Sequence, residues 1–140
     1  MENDNVKLEK IMTIYVKVRR EERIELEYEG EKQVMIPFDG YVTGKYFNGK
    51  ILPGGVDTQH IDSNGVARIS ARYMIEFDNK DRLFIENNGV IHYKYGVKYF
   101  KTYPKFVTNS KEYWWLNTDS FIGEVKQAEC GPEITFYRVV

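Results

Sequence analysis

The chain has 140 residues, of which 42% are hydrophobic and 29% are charged. This length and composition fit one domain with a hydrophobic core, so we treat residues 1–140 as a single domain. The formal net charge of -1 at pH 7 gives no electrostatic basis for binding nucleic acid.

Cysteine usage and the N-terminal sequence exclude further classes of protein. Cys130 is the only cysteine, which excludes an intramolecular disulfide and a cysteine-based structural zinc site. The opening MENDNVKLEK is polar and acidic, unlike a secretory signal. No apolar run approaches the ~20 residues of a membrane helix. We therefore expect a cytoplasmic protein that does not enter a membrane.

Apolar and polar residues alternate along most of the chain, which is typical of β-strands. The first half predicts strands over residues 11–18, 23–28, 33–38 and 41–52, the last of them bent at two glycines. A polar loop follows at residues 52–65. The second half predicts strands over residues 66–77, 82–87, 90–95, 98–108, 112–126 and 132–140. Eight to ten antiparallel strands form a barrel or two packed layers, and the glycine bends favour a single antiparallel β-barrel.

The polar loop LPGGVDTQHIDSNG contains the first group of candidate site residues. Asp57 and His60 can perform acid–base chemistry, since histidine titrates near neutral pH. They supply too few ligands for a convincing metal site, and we predict no metal. Asp62 fits a turn in which its side chain caps the local backbone. Asp57 and Gln59 are consistent both with loop structure and with ligand binding.

Arg72 is the next candidate, and two interpretations of it stay open. A barrel interior wide enough for a ligand can hold an arginine, which donates to a carboxylate or a carbonyl. Alternatively, Arg72 lies on the solvent face opposite Ala71 and Tyr73, as plain amphipathicity indicates. A buried Arg72 would need Asp57 or Glu86 as a partner, because an unpaired buried charge is very costly.

Aromatic residues dominate the two strands predicted over 98–108 and 112–126. Alternation places either Trp114 or Trp115 inside the barrel and the other outside. An inward tryptophan beside tyrosines suits a planar or apolar ligand, although core packing or a dimer contact explains the pattern equally well. The candidate ligand-binding set is Asp57, Gln59, Arg72, Tyr103, Trp115 and Asn117.

Three functions from different classes are compatible with these residues. No Walker loop, dinucleotide fingerprint or nucleophile elbow is present, so we predict no cofactor. The first hypothesis is a barrel that binds a small apolar or aromatic molecule. The second is a cofactor-free isomerase, cyclase or lyase, with Asp57 or His60 as base. Its electrophile would be Arg72 or Tyr103, and it requires Asp57 and Arg72 to converge on one pocket. The third is a structural or interaction protein that forms a homodimer.

Several ordered blocks of the chain resemble uncharacterised protein family 0311, also called domain of unknown function 3237. The blocks are LPGGVDTQHIDSNGVARISARY, LFIENNGV, YFKTYPKFVTNSKEYWWLNTDSFIG and FYRV. The family pattern reads approximately GGxDW, a D-G turn, A-R-Y, Y-I-x-N-x-G, FRTxPxFET and WLN. Thr58 replaces the family's tryptophan, and Lys101 replaces the arginine of FRT. The resemblance implies a small antiparallel β-barrel of lipocalin-like appearance, with no assigned activity.

Overall fold

The computed structural model describes residues 5–140. In this part of the chain two short 3₁₀ helices, Arg20–Glu22 and Trp114–Asn117, accompany ten strands. The strands are β1 (Leu8–Val18), β2 (Ile24–Tyr28), β3 (Glu31–Gly44), β4 (Gly49–Ile51), β5 (Val56–Ile61), β6 (Ala67–Phe77), β7 (Arg82–Lys94), β8 (Val97–Thr108), β9 (Phe121–Ala128) and β10 (Gly131–Val139).

The strands form a closed antiparallel barrel with 8 strand positions and two extra strands. Going round the barrel the order is β1, β10, β9, β8, β7, β6, β4 and β3, and pairing of β1 with β3 closes it. Strands β4 and β5 follow each other in one position between β3 and β6. Strand β2 extends β3 as an edge strand. The predicted all-β barrel is therefore confirmed.

Aromatic side chains fill one end of the barrel. The ring centroids of Phe47 and Phe77 are 4.5 Å apart, and Tyr113 meets Phe47 edge-on at 5.0 Å. Trp115 packs against this core, while Trp114 is 55% exposed. Because aromatic rings bury a large apolar area and interlock edge to face, this cluster closes its end of the barrel.

The strand predicted over residues 112–126 is wrong in its first part. The side chain of Asn117 accepts a hydrogen bond from the backbone N–H of Thr108 at 2.7 Å and donates one to its carbonyl at 3.1 Å. These bonds satisfy the backbone groups that a neighbouring strand would otherwise pair with. The chain therefore turns through the second 3₁₀ helix, and β9 begins only at Phe121.

Other boundaries also differ from the sequence prediction. The strands predicted over 33–38 and 41–52 are instead one strand, β3, that continues to Gly44, and a separate short strand, β4. Residues 56–61, predicted as loop, form β5, which pairs with both β3 and β6. The strands predicted over 82–87 and 90–95 are one continuous strand, β7. In β5 and β7 the alternation is obscured because polar residues or glycine occupy positions that face the barrel interior.

Thr102 on β8 lies between two glycines of the neighbouring strands, Gly89 on β7 and Gly123 on β9. A Cβ added at Gly123 would overlap the Thr102 hydroxyl. We expect Gly123→Ala to lower the free energy of unfolding by about 1–3 kcal/mol, as overpacking usually does. In a double-mutant cycle measured by urea unfolding, Thr102→Ala should relieve most of this loss. Fully additive effects would contradict the predicted overlap.

Candidate functional site

The other end of the barrel interior contains a cavity of about 330 Å³. A volume of this size is in the usual range for a small-molecule site. Arg20 and Arg23, on and just after the first 3₁₀ helix, are exposed at its mouth. Most of the wall is apolar and includes Val16, Ile36, Phe38, Ile69, Ile91 and Phe100.

Asp57 places a carboxyl group in this apolar cavity. It lies on β5 beside Ala71 of β6, and both residues line the lumen. The Gln59 side-chain amide donates a hydrogen bond to Asp57 Oδ2 at 2.8 Å. The second oxygen, Oδ1, is buried and has no hydrogen-bond partner among the described residues. Burial raises the pKa of Asp57 from 3.8 to about 6, and the bond from Gln59 offsets only part of this rise.

Three further polar groups in the lumen are buried without a hydrogen-bond partner in residues 5–140. They are Tyr73 Oη, Asn87 Oδ1 and Thr102 Oγ1, on β6, β7 and β8 respectively. Burial, with a smaller contribution from the Asp57 charge, raises the pKa of Tyr73 far above its ordinary value. Its hydroxyl therefore stays protonated and available as a donor. Together with Asp57, four residues on four adjacent strands line the cavity, and each of them carries one buried polar atom without a hydrogen-bond partner.

The structure brings together only two of the six candidate residues from the sequence. Asp57 and Gln59 both line the lumen. Arg72 does not: its side chain is 64% exposed and pairs with Glu86 at 2.6 Å on the outer surface. The alternation of β6 explains this, because Ala71 and Tyr73 take the inward positions. The expected convergence of Asp57 and Arg72 on one pocket is thus wrong, and the solvent-face interpretation of Arg72 is correct.

The remaining three candidates also lie outside the cavity. Tyr103 points outward from β8 and is 60% exposed. Trp115 packs into the aromatic cluster at the closed end, and Asn117 holds the backbone of Thr108. The sequence pattern could not separate these roles, because it shows the parity of a strand but not which end of the barrel a residue occupies.

His60, the alternative base, lies on the outer face. Its Nε2 is 2.7 Å from Glu31 Oε1, and its Nδ1 is 3.0 Å from Gln33 Oε1. The two departures from the family pattern are outside as well. The Thr58 hydroxyl donates to the carbonyl of Ser70 at 2.7 Å, and Lys101 pairs with Glu124 at 3.0 Å. None of these residues lines the lumen.

Sequence reasoning missed Tyr73, Asn87 and Thr102 as site residues. A signal for them exists in the strand pattern, because each shares the inward parity of apolar neighbours such as Ile85 and Phe106. A polar group on the buried face of a barrel strand needs a partner. Polar residues with inward parity would therefore have been better candidates than the outward arginines and tyrosines.

Neither a metal cluster nor a membrane helix is found in residues 5–140. No group of three or more histidine, cysteine, aspartate or glutamate side chains is placed to hold a metal ion there. Within the same residues, no helix has the length and apolar character needed to cross a membrane.

The buried carboxyl of Asp57 predicts an unusual dependence of stability on pH. Its pKa in the folded protein is above the ordinary 3.8, so the native state holds this proton more tightly than the unfolded chain. Ionisation therefore costs stability as pH rises from about 4 to about 6. Asp57→Asn should stabilise the protein by up to about 3 kcal/mol above pH 6, at 1.36 kcal/mol per pKa unit, and by little near pH 4. Urea unfolding across this range measures the difference.

Asp62→Asn is the matched control, because it should show the opposite sign. Backbone N–H groups of Val66 and Asn64 donate to Asp62 and lower its pKa. This carboxylate therefore stabilises the fold at neutral pH, and its contribution is lost as pH falls through its lowered pKa. A gain from Asp57→Asn that does not change with pH would contradict the assignment of Asp57 as a buried acid.

Solved structures of known proteins share this fold. A β-barrel-like protein from Acinetobacter baumannii superposes with a TM-score of 0.89 at 26% sequence identity and covers 99% of each chain. An enzyme from Penicillium herquei superposes with a TM-score of 0.76 over 100% of this chain and 98% of its own. At 14% identity, this second likeness shows the fold alone.

Sequence relatives identify the family. A UPF0311 protein of Clostridium acetobutylicum is 34% identical to this chain, over 79% of it and 78% of the relative. A UPF0311 protein of Rhodopseudomonas palustris is 31% identical, over 67% of this chain and 71% of the relative. The family described as protein of unknown function, DUF3237, matches residues 6–139. The chain belongs to the DUF3237 family, as its ordered sequence blocks predicted.

Proposed function

We propose that this protein binds a small apolar or aromatic molecule in its barrel lumen, with a polar group of the ligand beside Asp57. The observation that carries the proposal is that four residues lining one largely apolar cavity of about 330 Å³ each carry a buried polar atom without a partner in residues 5–140. Buried polar groups in folded proteins are nearly always hydrogen-bonded, and each unpaired one costs about 1–3 kcal/mol. A ligand that pairs with them recovers this cost.

The chemistry of the four groups restricts the ligand. Ionised Asp57 and the carbonyl oxygen of Asn87 are acceptors, whereas the hydroxyls of Tyr73 and Thr102 can donate or accept. The apolar wall excludes a fully polar solute such as a sugar. The arrangement therefore fits a hydrophobic molecule with at least one N–H or O–H donor, such as a phenol or an aromatic amine.

The neutral dye N-phenyl-2-naphthylamine has this chemistry, and we expect it to bind in the lumen with increased fluorescence. Ala71→Phe places a ring between Asp57 and Asn87 and should weaken binding by more than about tenfold, or 1.4 kcal/mol. Arg72→Phe, at the neighbouring outward position, is the matched control and should leave binding unchanged. Circular dichroism melting checks that both variants fold. Equal binding by the two variants would place the dye outside the lumen and refute the proposal.

A second candidate function is cofactor-free proton transfer by Asp57, as in an isomerase, cyclase or lyase. The observation that favours it is the enclosed carboxyl with a pKa raised to about 6, since a catalytic acid or base works best near the operating pH. The version of this hypothesis with Arg72 or Tyr103 as the electrophile is excluded because both side chains lie outside the lumen. In the version proposed here, Tyr73 is the hydrogen-bond donor.

Proton transfer can be tested without knowing the natural substrate. A panel of aryl ketones in D₂O, followed by ¹H NMR, reports exchange of the protons next to the carbonyl group. We expect the wild type to accelerate exchange in at least one ketone that fits the lumen. Asp57→Asn should reduce this rate at least about 100-fold, and Asp62→Asn should not change it. Equal rates for wild type and Asp57→Asn would exclude Asp57 as the base.

Self-association remains a separate prediction from the sequence. The edge strand β2 presents Ile24, Leu26 and Tyr28 with exposed fractions of 63%, 57% and 46%. Exposed apolar side chains on an unpaired strand edge are a surface that a second copy could cover. Light scattering measures the mass in solution, and a monomer at all concentrations would exclude the homodimer.

A further inference from the structure

We infer that the lumen selects a ligand with an acidic group, which Arg20 binds at the mouth of the cavity. This inference rests on the proposed function and extends it to the chemical class of the ligand. It follows from the distribution of charge along the cavity wall. The charged residues that line the cavity are Arg20, Arg23 and Asp57, and only Asp57 is enclosed.

Arg20 differs from its neighbours in having no acidic partner. Arg19 pairs with Glu22 at 2.6 Å and with Asp39 at 3.2 Å. Arg23 pairs with Glu25 at 2.7 Å. Within residues 5–140 no carboxylate lies within ion-pair distance of Arg20, although Glu21 and Glu22 directly follow it. Its guanidinium is therefore available for an acid supplied by a ligand.

The position of Arg20 predicts how the ligand is oriented in the cavity. The apolar wall and the acceptors near Asp57 lie inside the barrel, whereas Arg20 is exposed at the rim beside Arg23. A guanidinium donates in a planar fork that matches a carboxylate or a sulfonate. An acidic group deep in the lumen would instead meet the Asp57 carboxyl and be repelled when both are ionised. The bound molecule is thus an amphipath with a donor at its inner end and an acid at its outer end.

Two dyes that differ by one sulfonate test this inference. In 2-anilinonaphthalene-6-sulfonate the acid is at the opposite end of the naphthalene from the amine, and N-phenyl-2-naphthylamine is the neutral equivalent. We expect the wild type to bind the sulfonate more tightly than the neutral dye at low salt. Arg20→Gln should weaken sulfonate binding about fivefold, because an exposed charge pair contributes up to about that factor, and should leave the neutral dye unchanged.

Arg72→Gln is the control variant, because it removes the same charge from the outer surface. It should change the affinity of neither dye. The preference for the sulfonate should also disappear at about 1 M salt, where the screening length is only ~3 Å. The loss of sulfonate affinity in Arg20→Gln, the unchanged affinities of Arg72→Gln and the salt dependence would together support a specific contact at the mouth over a general effect of net charge.

The outcomes separate this inference from the proposed function. If the neutral dye binds but the wild type shows no preference for the sulfonate, the inference about Arg20 is wrong and lumen binding stands. An equal loss of sulfonate affinity in Arg20→Gln and Arg72→Gln also contradicts it. If neither dye binds the wild type, the proposed function fails and the inference fails with it.

Discussion

The pairing of β1 with β3 is the interaction on which the other features depend. It closes the sheet, so that one face of every barrel strand must be accommodated in a shared interior. At one end, aromatic side chains around Phe47, Phe77 and Trp115 fill that interior. At the other end, smaller residues such as Ala71 leave it open. The packed aromatic core therefore occupies one end of the lumen, and the cavity occupies the other.

The open half of the lumen carries a stability cost that the fold alone does not explain. Burial of Asp57 removes hydration from its carboxyl group and raises its pKa, and three neutral polar groups on the neighbouring strands also have no partner in the described chain. Apolar residues of similar size at these positions would avoid the cost. Buried polar groups without partners are frequent in binding and catalytic sites, where the ligand supplies the missing hydrogen bonds. This is why we propose the lumen as the functional site.

Much of the fold could be predicted from the sequence because alternation is a local property. Strand β6 shows this best, since Ala67, Ile69 and Tyr73 face inward as their spacing indicates. The 3₁₀ helix at Trp114–Asn117 could not be predicted, because it depends on side-chain bonds from Asn117 to a strand nine residues away. The family assignment followed from long ordered blocks and was confirmed.

The candidate site was predicted less well, for a physical reason. Asp57 and Gln59 can be identified from the sequence because they are polar residues in the segment LPGGVDTQHIDSNG. Arg72 was included on charge, although its parity indicated the outer face where the structure places it. The register between strands determines which residues lie side by side in the barrel wall. It places Ala71 between Asp57 and Asn87, and this register cannot be read from a single sequence. The charge of a residue does not show whether it faces the lumen, whereas its position in the alternation of the strand does.

The most direct test of the central claim is a ¹³C NMR titration of the Asp57 carboxyl group with and without N-phenyl-2-naphthylamine. In the free protein we expect a midpoint of about 6, well above the ordinary 3.8. Saturating dye should move the midpoint, because its N–H group lies beside the carboxyl and its rings exclude water. A midpoint near 4 in the free protein, or one that saturating dye leaves unchanged, would contradict the assignment of the lumen as the ligand site.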